Sequence, residues 1–98
     1  MASVDLLYVP DCPNLVLARE RLDEAARRAG VEVVVSERLV ADADAAAALG
    51  MHGSPTILVD GRDVAGGSEP SVSCRLYRTA SGLDGAPSVD ELVVALSR

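Results

Sequence analysis

A chain of 98 residues, 49% of them hydrophobic, is one small domain that can bury a single core without metal or disulfide staples. The formal charge is −6, and the nine basic residues, all arginine, are scattered among fifteen acidic ones, which argues against a nucleic-acid partner because that demands clustered positive charge. No apolar stretch reaches the ~20 residues that a membrane-crossing helix needs, so no membrane partner is expected.

Ser3–Val9 reads as the first strand. Val4, Leu6 and Tyr8 fall on one face and Leu7 and Val9 on the other, the pattern of a central strand covered on both sides. After Pro10 and Asp11, the apolar positions Leu15, Ala18, Leu22, Ala25 or Ala26, and Ala29 recur at helical spacing and stop at Gly30. Pro13 suits a first helical turn, which makes Cys12 the expected N-cap. Val31–Val35 is a β-branched second strand. Asp42 is expected to cap a short Ala-rich helix ending at Gly50.

Thr56–Val59 follows as a buried strand, with Asp60-Gly61 as a tight turn and Arg62–Val64 as its short return strand. Ser88-Val89-Asp90-Glu91 is a capping box opening a C-terminal helix through Leu92, Val93 and Leu96. The stretch 65–87 is too long for an idle connector. A short helix carrying Cys74, Arg75 and Arg78 is expected in it, with the two arginines at i and i+3 on a solvated face or meeting a carboxylate of a small thiol. The order β-α-β-α-β-β-α predicts a single α/β domain over 1–98, a four-stranded mixed sheet flanked by helices. With no Phe or Trp, and only Tyr8 and Tyr77 as aromatics, its core must be aliphatic.

Tyr8-Val9-Pro10-Asp11-Cys12-Pro13-Asn14-Leu15 resembles the active-site turn of thioredoxin- and glutaredoxin-like proteins, and Gly53-Ser54-Pro55-Thr56 resembles their cis-proline loop. The resemblance covers nearly the whole chain by element order. It implies a thioredoxin-like fold, with Cys12 as nucleophile and a cis Pro55 that sets the backbone of Ser54 against a bound thiol or peptide. Gly66-Gly67-Ser68-Glu69 is similar to the glycine pair by which glutaredoxins hold glutathione, so Gly66, Gly67 and Glu69 are implied as binders of a low-molecular-weight thiol, the one cofactor suggested. The chain departs from the family in two places. Leu15 stands where the usual Cys-x-x-Cys has its second thiol, and Asp11 stands in place of the Trp. Single-thiol members share the first loss, and some hold an iron–sulfur cluster between two subunits with glutathione.

A thiol at a helix N-terminus faces unpaired N–H groups and the positive end of the helix dipole, which favour thiolate; the like charge of Asp11 opposes this. Three readings stay open. Cys12 can serve thiol–disulfide exchange with a small-molecule or protein substrate, alone or with Cys74 as a displaced resolving thiol. Cys12 and Cys74 can hold a soft metal with Asp11 as proton donor to an organomercurial, as in small thioredoxin-like proteins loosely labelled organomercurial lyases, which the chain also resembles, more weakly. Or the chain is a redox-inactive scaffold that binds a protein. Enzyme and non-enzyme thus both remain open, as do monomer and homodimer. Cys74 also reads as a small buried hydrophobe, and His52 as a solvated loop histidine or a proton carrier. Met1–Asp5 has no leader pattern and the two cysteines no disulfide-scaffold spacing, so a cytoplasmic protein is expected.

Overall fold

The structure is a computed structural model that describes residues 1–98. In chain order the elements are β1 (Ala2–Tyr8), α1 (Leu15–Ala29), β2 (Val33–Leu39), α2 (Ala43–Leu49), β3 (His52–Ser54), β4 (Thr56–Val59), β5 (Arg62–Asp63), β6 (Ser71–Cys74), β7 (Tyr77–Thr79), β8 (Gly82–Asp84) and α3 (Val89–Leu96). The main sheet is mixed and four-stranded, in the order β2-β1-β4-β5. β1 is parallel to β2 and antiparallel to β4, and β4 turns through Asp60-Gly61 into antiparallel β5.

Alternation along β1 and β4 divides the core between the two faces of this sheet. Val4, Leu6, Ile57 and Val59 meet Ala18, Leu22 and Ala25 of α1 and Leu92, Ala95 and Leu96 of α3. Leu7 and Leu58 point the other way, onto Ala46 of α2, Val40 and Met51. Each fully buried leucine or isoleucine here contributes about 1.5–3 kcal/mol. The helix ends follow local chemistry. The Asp42 carboxylate accepts from Ala45 N–H at 2.8 Å and Ser88 Oγ from Glu91 N–H at 3.1 Å, while α1 and α2 stop at Gly30 and Gly50 in left-handed conformation. No helix is long and apolar enough to cross a membrane.

Three expectations need correction. The second strand is Val33–Leu39 rather than Val31–Val35, because register with β1 from Ala2↔Val33 to Tyr8↔Leu39 recruits the polar Ser36-Glu37-Arg38. Cys12 is not the N-cap of α1. Its N–H donates to Val9 C=O at 3.2 Å and its own C=O accepts from Leu15 N–H at 3.4 Å, so the chain makes two successive turns before Asn14 takes the N-cap position, without a side-chain hydrogen bond. The stretch 65–87 holds three short strands and no helix. β6 lies parallel to β3, and β7 and β8 form a hairpin. Pairing supplied by β3, a strand the sequence pattern does not reveal, satisfies backbone groups that a helix would have satisfied internally.

Candidate functional site

Cys12 lies just past the C-terminal end of β1, half-buried, in the double turn before α1. Beside it Asp11 is exposed and holds a left-handed φ of 59°, which aspartate tolerates better than most residues. Between β3 and β4 the chain passes through the Ser54–Pro55 bond, which is cis. Ser54 is buried, and its Oγ accepts from Val9 N–H at 3.1 Å. That bond fastens the proline loop to the residue where β1 leads into the Cys12 turn.

The strands of 65–87 close on this loop from outside. Arg75 N–H donates to Ser54 C=O at 3.0 Å, and the Tyr77 hydroxyl donates to Pro55 C=O. Tyr77 is 2% exposed. Burial raises its pKa well above the usual tyrosine value. Among nearby charges Arg75 pulls it down, whereas Asp63, Glu91 and Cys12 push it further up.

Arg75 does not lie on a solvated face. Its Nη1 is 2.7 Å and its Nη2 3.2 Å from the Asp63 carboxylate, with further bonds to Thr56 Oγ1 at 3.3 Å and Gly66 C=O at 2.9 Å. The guanidinium stacks on Tyr77 at 4.5 Å. The Arg75 and Asp63 side chains are 12% and 5% exposed. His52 joins them through Nδ1, 2.7 Å from Asp63 Oδ2, and so is not a free loop histidine. Gly53 is required here, because its φ is +116° and a Cβ would sit 2.9 Å from Arg75 Cβ. Arg75 thus commits both terminal nitrogens to Asp63, Thr56 and Gly66, and His52 commits its Nδ1 to Asp63. Sequence reasoning missed this triad because its members come from three separate strand ends, and only the exposed Asp60-Gly61 turn beside Asp63 had a local signal.

The remaining candidates divide. Cys74 pairs in register with Ser54 across β6 and β3 and is exposed, so it does not act as a buried hydrophobe. Both cysteines are free. Gly66 uses its carbonyl on Arg75, Gly67 presses against the His52 ring, and Glu69 is exposed. No group of three or more His, Cys, Asp or Glu side chains is arranged to hold a metal ion, so Cys12, Cys74 and Asp11 are not gathered as a three-donor set.

Fold and site together define a compact α/β protein in which the turn bearing a half-buried cysteine is tied to a proline loop beside a mixed sheet. Comparison of the chain with family models, curated proteins and solved structures gives no match.

Proposed function

We propose that this chain is a thioredoxin-like thiol–disulfide exchange protein with Cys12 as its nucleophile. The sheet order β2-β1-β4-β5, with α1 and α3 on one face and α2 on the other, agrees with the fold that the resemblance implies. The observation that carries the function is the bond from Val9 N–H to Ser54 Oγ, which keeps the proline loop beside the turn bearing Cys12. A half-buried thiol on a turn that is tied to a neighbouring loop meets a disulfide with less orientational freedom to lose than a thiol on a mobile chain.

In the exchange, the Cys12 thiolate attacks one sulfur of a disulfide. A Cys12 Sγ–S bond forms as the substrate S–S bond breaks, and the departing thiolate takes a proton from water. A second thiol then attacks the mixed disulfide and restores Cys12. Leu15 removes the usual source of that thiol, which leaves Cys74, exposed and paired with Ser54, or a low-molecular-weight thiol from solution.

The test is the rate at which Cys12 acquires a glutathionyl group from glutathione disulfide, followed by peptide mass spectrometry on the folded protein and on the same protein in urea. Folding should accelerate Cys12 by about tenfold or more. A folded Cys12 no faster than the unfolded one would make the chain a redox-inactive scaffold.

A further inference from the structure

The proposal that follows rests on Cys12 as the exchanging thiol and concerns what it exchanges with. An extended peptide binds a thiol site by adding itself as a strand, and needs a row of unpaired backbone groups to do so. The proline loop is the backbone placed to offer such a row beside Cys12. Its carbonyls are already taken: Ser54 C=O by Arg75 N–H at 3.0 Å and Pro55 C=O by the Tyr77 hydroxyl. Further back, Ser71 N–H donates to Met51 C=O at 3.1 Å, and β6 pairs along β3. The chain has supplied its own added strand.

This strap is fixed at both ends. The Arg75–Asp63 fork holds β6 against the end of β5. At the far end Arg21 of α1 donates to Ala86 C=O at 2.9 Å and to the Asp84 carboxylate at 2.7 Å. Gly85 comes so close to Asn14 that an added Cβ would stand 2.4 Å from its Cγ. One wall of the strap is thus the proline loop and the other is the turn that bears Cys12. A strap with these attachments does not swing away for each substrate.

We infer that residues 71–77 occupy the strand-addition edge of the site and confine Cys12 to disulfides of low-molecular-weight thiols, excluding extended peptides. The substrate reaches Cys12 by its sulfur alone. The thiolate forms a bond to one sulfur, the small thiol leaves as thiolate, and no backbone pairing with Ser54 is made.

Two disulfides with the same reacting group test this: glutathione disulfide, and an extended peptide whose single cysteine carries a glutathionyl group. Transfer of that group to Cys12 is measured for each, and each rate is divided by that of a free thiol on the same disulfide. The normalised rate with glutathione disulfide should be about tenfold higher or more, because residues 71–77 stand where the extended chain on either side of the peptide's cysteine would lie, whereas the small disulfide needs only its sulfur to reach Cys12. Equal rates, or a faster peptide, would overturn the inference and leave the exchange function standing. A Cys12 that reacts with neither disulfide faster than the unfolded chain would remove both. Amide hydrogen exchange on the unaltered protein checks the strap directly. Arg75 N–H should be strongly protected, and exchange at the rate of an unstructured amide would show the edge to be open and refute the inference.

Discussion

Replacing Arg75 by methionine keeps an unbranched apolar stem and deletes the guanidinium, so it isolates the ion pair from simple loss of volume. The side chain is 12% exposed and Asp63 only 5%, which takes the pair out of the class of solvated surface bridges worth less than about 1 kcal/mol. The substitution removes both Asp63 contacts, at 2.7 and 3.2 Å, the bonds to Thr56 and Gly66, and the stack on Tyr77. It leaves the buried carboxylate with His52 and with Ala65 N–H, which donates to Asp63 Oδ1 at 2.9 Å. Removing one partner of a buried pair costs about 3–5 kcal/mol, and the surviving contacts from His52 and Ala65 argue for the lower end. A domain of this size has a total stability of about 5–15 kcal/mol. With a urea slope of about 1 kcal/mol/M, the unfolding midpoint of Arg75→Met should fall by roughly 3 M. The double variant Asp63→Leu, Arg75→Met should recover about 1 kcal/mol or more relative to Arg75→Met, because no charge is then stranded. A single variant within about 0.5 kcal/mol of the unaltered protein, or a double variant whose loss equals the sum of the two singles, would refute the account of a buried, mutually dependent pair.

Two more outcomes follow from the same region. Because burial raises the folded-state pKa of Tyr77 above its unfolded value of about 10, the neutral phenol stabilises the fold fully below that pH and loses this contribution as pH climbs toward the folded value. In a Tyr8→Phe background, phenolate absorbance should therefore stay absent through pH 10 and appear only with alkaline unfolding; ionisation near pH 10 with the circular dichroism intact would contradict this. Gly67 has φ +126°, and a Cβ there would lie 2.8 Å from the His52 ring, which its bond to Asp63 holds in place. Gly67→Ala should cost about 1–3 kcal/mol in chemical denaturation, and a neutral result would show that the glycine pair is not needed to accommodate His52.

Much of the sheet and its helices was legible because their signals are local. Val4, Leu6 and Leu7 alternate as they must in a strand covered on both faces, and Ala18, Leu22 and Ala25 repeat as one helical stripe. Asp42 and Ser88 advertise helix starts by their own side-chain chemistry, and each makes the bond expected of it. The Ser54–Pro55 loop was legible for another reason, the resemblance of Gly53-Ser54-Pro55-Thr56 to a known loop. Where a signal was ambiguous, the local reading went astray. Pro13 pointed to Cys12 as cap, yet a second turn intervenes and passes the position to Asn14.

The sequence by itself determined the alternation and helical spacing that split the core over two faces of a four-stranded sheet, and it determined which cysteine follows the first strand. Those properties depend on contacts between neighbours in the chain and on the burial of apolar side chains, and both are written in the order of residues. Only the tertiary structure decided the fate of residues 65–87. β6 exists because β3 offers it backbone partners, while β7 and β8 pair with each other, and Arg75, His52 and Asp63, far apart in the chain, satisfy one another only once β6 is docked. A buried charge requires a partner, and which residue fills that need is settled by where the fold brings the strand ends together.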